Sequence, residues 1–302
     1  MTIKGQKRIS YTILVLPALI IYLLVVGFPT IFSIILSLTN YNGGKILGAG
    51  SVDWEVVGFQ SYVWMFTEPT GAFYSALKNN MYLVAISVFG QIPLGFILAY
   101  ILTRNIIKRG SGFFQSMIFL PYVISPIIIG VLFNAFIINS NSVLMEVRKM
   151  IDPTVQFTIS TRPMMAVLLV VLWMFTGFYM IIFMAHMQRI DPAIIEAARI
   201  DGAKESQVLG RIILPAMINE ILTCAILAIS GSLRTYDLIY SMTSGGPAGQ
   251  TKVLSMFMYD MAFKGSPNYP VANAISTVMV LICLVLIVIT QCLGKMFKDG
   301  EA

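Results

Sequence analysis

The chain has 302 residues, of which 57% are hydrophobic and only 11% charged, with a mean hydropathy of +0.83 and a formal net charge of +6. Soluble domains carry about 45–50% apolar and about 25% charged residues, so a water-soluble globule of this length could not bury the excess, and lipid must be part of the solvent. A secreted disulfide scaffold is excluded as well, because the three cysteines, Cys224, Cys283 and Cys292, are odd in number and lie in apolar runs.

Six runs qualify as membrane spans: about 11–38, 81–103, 113–138, 164–187, 217–240 and 271–294. A helix needs about 20 predominantly apolar residues to cross about 30 Å of hydrocarbon. The runs are too long and too continuous for barrel strands. Their backbone groups must then be satisfied internally, so an all-α polytopic protein is expected. The first run follows Lys4, Lys7 and Arg8, is about twice the length of a signal-peptide core and ends in no small-residue cleavage site. It reads as a retained helix, bent or broken at Pro17 or Pro29.

Orientation comes from the basic residues. Twelve fall on one side, in short loops: Lys4, Lys7, Arg8, Arg104, Lys108, Arg109, Arg189, Arg199, Lys204, Arg211, Lys295 and Lys298. Seven fall on the other, in longer loops: Lys45, Lys78, Arg148, Lys149, Arg162, Lys252 and Lys264. The excess places both termini in the cytoplasm. The positive charge is therefore a topology signal, and no nucleic-acid partner is expected. The outside loops near 39–80, 139–163 and 241–270 are rich in turn residues and too short for a separate fold. Residues 1–302 thus read as one transmembrane domain.

The cytoplasmic segment 189–215, between the fourth and fifth spans, carries the most information. Asp191 before Pro192 is a helix start, an N-cap acceptor followed by a residue whose missing N–H costs nothing. Ile194, Ile195 and Ala198 give one apolar stripe. Gly202 suits the helix end. Val208, Leu209, Ile212 and Ile213 stripe a second short helix, which Pro215 ends or from which Pro215 starts the fifth span. A pair of interfacial helices lying on headgroups would satisfy that amphipathicity. Two alanines beside one acid make a smooth surface suited instead to a protein groove.

The spaced string Glu196-Ala197-Ala198, Gly202, Ile212, Leu214-Pro215 resembles the cytoplasmic signature of permease subunits of binding-protein-dependent ABC importers. Outside, Gly245-Gly246-Pro247 and Thr251, with Tyr259, Ala262 and Phe263 beyond and Asp237 before, resemble the sugar branch of that family, the first permease of the maltose, lactose or glycerol-3-phosphate pair. The resemblance covers nearly the whole chain. It implies six helices of the type I importer permease fold in a bacterial or archaeal cytoplasmic membrane. The partners implied are a second homologous permease, two ATPase subunits and an extracytoplasmic solute-binding protein, with a sugar as substrate. It also implies that segment 189–215 docks into the ATPase, with Glu196 meeting a basic residue, Ala197 and Ala198 allowing close approach and Gly202 the bend. The chain has no G-x-x-x-x-G-K-[ST] phosphate loop. No cofactor is expected on it, and ATP and magnesium belong to the partner ATPase.

The substrate path is expected near Trp173, the one tryptophan inside a span, and Tyr179 beyond it, since sugar ring faces stack on aromatics. Gly231 and Ser232 correspond to further lining positions in the resembled family. Arg234 and Asp237, three apart near the outer end of the fifth span, would share a helical face as a salt bridge or gate lining. No catalytic or metal-ligating cluster is evident, and the single His186 lies near a span end. The competing readings are an importer permease for another solute (glycerol phosphate, an amino acid or other), a secondary transporter, and an intramembrane enzyme or scaffold.

Overall fold

The structure, a computed structural model, describes residues 14–44, 54–104, 110–138 and 163–299. In chain order its helices are α1 (Leu14–Ser37), α2 (Gln60–Thr67), α3 (Ala72–Thr103), α4 (Ser111–Val123), α5 (Pro126–Phe133) and α6 (Pro163–Met187). They continue with α7 (Pro192–Ile200), α8 (Glu205–Ala216), α9 (Ile218–Arg234), α10 (Asp237–Thr243), α11 (Leu254–Phe263) and α12 (Tyr269–Asp299).

Four of these, α1, α3, α6 and α12, are long and apolar enough to cross a membrane, and the bent pairs α4–α5 and α8–α9 bring the number to six. The second span starts earlier than its hydropathy suggests, at Ala72, because the polar Lys78, Asn79 and Asn80 lie inside the helix. The third is broken by 90°. Ser125 precedes Pro126 and takes the extended ψ of 132° that a following proline imposes. The fifth is shorter than expected: α9 ends at Arg234, and α10 is a separate helix.

Neither Pro17 nor Pro29 breaks α1. A π-helical turn, Leu23–Gly27, instead precedes Pro29 by two residues. The arrangement recurs at Ser87–Gln91 before Pro93 and at Leu209–Ile213 before Pro215. A proline ring collides with the carbonyl four residues back and offers it no N–H. Widening the preceding turn removes the conflict: Phe28, Ile92 and Leu214 each donate five residues back, to Leu23, Ser87 and Leu209. The helices continue past their prolines by changing pitch.

Contacts divide the chain into two compact parts. The first joins the residues up to Gly71 with 257–280. Here Ser33 Oγ donates to Asn273 Oδ1 (2.6 Å), and the Tyr269 N–H donates to Asn42 Oδ1 (3.0 Å). Ser37 and the Tyr62 hydroxyl share a hydrogen bond of 2.7 Å. The apolar window of α1 has none of its residues buried, the condition of a helix solvated by lipid.

The second part, 72–256 with 281–302, holds the main core. Its centre is α6, packed on α3 and α4 through glycines that let backbones meet. A Cβ at Gly95 would come within 3.0 Å of the Met180 backbone nitrogen, and one at Gly177 would overlap the Ile118 carbonyl. Small residues at such crossings are how helices associate where no hydrophobic force drives them together.

Candidate functional site

The segment between α6 and α9 is built as a braced unit. Asp191 caps α7 by accepting from the Ala193 N–H (2.9 Å). At the other end Gly202 takes φ +80°, the Ala203 N–H donates to the Ala198 carbonyl (2.9 Å) and the Gly202 N–H to that of Arg199 (3.0 Å). This pair of bonds is a Schellman turn, which needs the left-handed residue that Gly202 supplies. The Gln207 side chain then accepts from the Lys204 N–H (2.8 Å) and starts α8.

Two attachments hold the unit to the spans. The first is apolar: Ile195, Val208 and Ile213 are buried with Leu102, Phe183 and Met187, and Ala198 and Ile212 pack against them. The second is ionic. Arg199 meets Glu205 at 2.6 Å, and the Tyr100 hydroxyl of α3 donates to the same carboxylate at 3.0 Å. The Tyr100 hydroxyl, then the Arg199 guanidinium, hold the Glu205 carboxyl below the usual carboxylate range.

Ile194 does not join the buried stripe, being 54% exposed. The outward face of α7 consists of Ala193, Glu196, Ala197 and Ile200, the last 86% exposed. The sequence reading missed Ile200, although its position one turn beyond Glu196 was a usable signal. Of the other signature residues, Pro215 is half-buried and Leu214 is exposed, just beyond the π turn.

At the opposite end, the loop of Gly245, Gly246, Pro247 and Thr251 folds on itself. Ser244, Gly245, Ala248 and Gly249 all have positive φ, and the Gly246–Pro247 bond is cis. Thr251 is fully buried, shares a 2.7 Å hydrogen bond with Thr243 and donates to the Gly246 carbonyl (3.2 Å). Two adjacent amides of α3 fasten the loop. Asn79 Nδ2 donates to the carbonyls of Gln250 (2.9 Å) and Lys252 (2.8 Å). Asn80 donates to the Ser232 carbonyl (3.1 Å) and accepts from the Leu254 N–H (2.8 Å). Two consecutive asparagines in an apolar helix were the signal for them. Beside the loop, Lys78, Tyr82, Met165 and Ala248–Gln250 line an open cavity of about 610 Å³.

Between these ends a narrow cavity of about 60 Å³ brings together Tyr179, Gly231 and Ser232 with Ser87, Gln91 and Thr235. Ser232 Oγ donates to Ser87 Oγ (2.9 Å) and Gln91 to the Val171 carbonyl (2.8 Å). Trp173 is not among the lining residues. It stands on another face of α6, 49% exposed, edge-on to Phe133 with ring centres 5.6 Å apart. The shared face expected for Arg234 and Asp237 does not form, because Thr235 and Tyr236 leave the helical conformation between them. Arg234 Nε donates to the Ser230 carbonyl (3.3 Å), and among the described residues no ion pair joins it to Asp237. His186 Nδ1 lies 3.1 Å from Glu220.

Known proteins resemble the chain over nearly its whole length. The probable ABC transporter permease protein YurN of Bacillus subtilis is 32% identical over 305 residues, covering 99% of each chain. The lactose transport system permease protein LacF of Rhizobium radiobacter is 30% identical over 292 residues, 94% of each. A chain of a bacterial alginate ABC transporter, crystallised with an alginate pentasaccharide-bound periplasmic protein, has the same fold, with a TM-score of 0.78 at 22% identity over 97% of this chain and 96% of that one. Residues 91–299 match the family model described as binding-protein-dependent transport system inner membrane component. On that match, which spans both the braced segment and the Gly245–Thr251 loop, the chain belongs to the family of inner membrane components of binding-protein-dependent transport systems.

Proposed function

We propose that the chain is the membrane-spanning subunit of an ATP-driven importer that moves a sugar or oligosaccharide delivered by an extracytoplasmic binding protein. The observation that carries this reading is the braced segment. It is capped at both ends, locked to the spans by Ile195, Ile213 and the Arg199–Glu205–Tyr100 contacts, and turns a small face with one acid outward. Such a unit transmits displacement instead of absorbing it. ATP binding would close two ATPase subunits, carry Glu196–Pro215 with them and change which side the central cavity faces. A second permease subunit would complete the passage.

The sugar class is supported by the 30% identity to a lactose permease and by the likeness of the outer loop to that branch. Trp173, Tyr179, Gly231 and Ser232 are proposed along the path, with Tyr179, Gly231 and Ser232 sharing one cavity. The open face of Trp173 suits a surface completed by the second permease. The binding protein is placed over the Gly245–Thr251 loop and its cavity.

The test is co-purification followed by reconstitution. The chain should bring down a second permease and two ATPase copies, and loaded binding protein should raise ATP hydrolysis. Glu196→Lys should leave the protein inserted and abolish coupled uptake. A chain that purifies alone and transports without ATP refutes the reading. Trp173→Ala should weaken uptake of the true substrate, and unchanged affinity and rate remove Trp173 from the path.

A further inference from the structure

The covalent links from the braced segment to its two spans are both bent. α6 gives way to α7 through the non-helical residues 188–191. α8 passes into α9 at Met217, where φ −100° and ψ 2° interrupt the helix and the axis turns by 66°. Residues at the ends of elements are where a chain flexes, so a displacement of the segment need not reach both spans alike. His186 and Glu220 sit just inside these joints, one in the last turn of α6 and the other in the first turn of α9. His186 Nδ1 lies 3.1 Å from Glu220 Oε1, and both side chains are partly exposed. Each stands at the helix end that suits it, an imidazole that can carry positive charge at a C-terminus and a carboxylate at an N-terminus. α6 packs along α3 and α4 but meets α9 only briefly, and among the described residues no other ion pair or hydrogen bond joins α6 to α9. The apolar neighbours Met184, Met187 and Met217 are unbranched and adaptable, so they hold the two helices together without fixing one against the other.

We infer that His186 and Glu220 form a clasp that makes α6 and α9 move as one when the braced segment is displaced. The contact closes the loop of chain between them across its base and bypasses the bend at Met217. A push on α7 and α8 then reaches α9 through α6 as well as through the bent joint. Neither residue lines the cavity of Tyr179, Gly231 and Ser232, so both are positioning residues for transport and not part of the solute path. The clasp rests on the reading of the segment as the element that ATP binding displaces.

The transporter, purified with its co-purifying subunits in nanodiscs, is followed by hydrogen exchange with and without magnesium ATP and vanadate, which hold the ATPase subunits closed. In the parent, protection should change in α7, α8 and α9 together. In His186→Ala the change should persist in α7 and α8 and shrink about threefold in α9, the order of a half-exposed ion pair. Glu220→Ala should do the same, and the double variant no more than either, because the two residues act through one contact. His186→Lys, which keeps a cation opposite Glu220, should recover most of the parental change. A pair that only stabilised the fold would lower the thermal midpoint and leave the ratio of the α9 change to the α7–α8 change where it was. An unchanged ratio in both single variants, or additive losses in the double variant, overturns the clasp and leaves the importer reading standing. A parent with no change in α7 and α8 overturns the importer reading and the clasp with it. Should His186→Ala fail to insert, Glu220→Gln, of nearly the same size, supplies the comparison: a reduced ratio supports the clasp and an unchanged one overturns it.

Discussion

At Gly202 the backbone has φ +80°, and an added Cβ would meet nothing within 4 Å. The only penalty for a side chain there is left-handed strain, about 1–2 kcal/mol. Gly202→Ala should therefore insert and fold, yet loosen the Schellman turn and lower ATP-driven uptake. Gly202→Asn, which tolerates that region better, should retain more of it. Equal uptake by all three forms would show that the turn does not matter. Asn79 and Asn80 present the opposite case, where side-chain chemistry is everything. Replacing Asn80 by Leu leaves the Leu254 N–H and the Ser232 carbonyl unpaired, for about 1–3 kcal/mol per bare group. A lower thermal midpoint and a weaker ATPase response to binding protein are expected. Gly202 was legible in sequence because glycine after an amphipathic stripe has one common use. The asparagines stood out as a polar pair, but their task was not legible, because their partners lie more than 150 residues away, as the Asn80–Ser232 separation of 152 illustrates.

Among elements, the tie between α7, α8 and α3 runs through one exposed carboxylate. Glu205 is held below its ordinary pKa, so its bonds contribute above the unfolded carboxylate value, about 4.3, and are lost as pH falls through the folded value. Protection factors for amide exchange in α7 and α8, with the intrinsic pH dependence of exchange divided out, should be flat from neutral pH down to that range and fall below it. Glu205→Gln should remove the step while changing global stability little, as expected of a solvent-exposed ion pair. The contact between α4 and α6 is less forgiving. Gly177→Val would drive a side chain into the Ile118 backbone, and overpacking of this kind costs about 1–3 kcal/mol. Hydropathy located the spans, but not the break at Ser125, the end of α9 at Arg234 or the pitch changes. These depend on dihedral angles at single residues, which a composition window averages away.

For the whole molecule, the proposal that both termini are cytoplasmic rests on the bias of Lys and Arg between loops. An epitope inserted at Gly249, whose surroundings are open, should be reached by antibody from outside. A fluorescent reporter fused after Ala302 should light up inside. The reverse pattern would invert the molecule and put segment 189–215 on the wrong side for any ATPase. The π turns ahead of Pro29, Pro93 and Pro215 bear on how such a chain varies. Each amounts to one residue inserted into an α-helix; in a regular helix it would swing everything beyond it by about 100° around the axis, and the widened turn absorbs that rotation. At Ser87–Gln91 that extra residue sits between two well-packed halves of α3. The helix thus contains a site where the chain could lose a residue and return to plain α-helix, with both halves keeping the neighbours that they face.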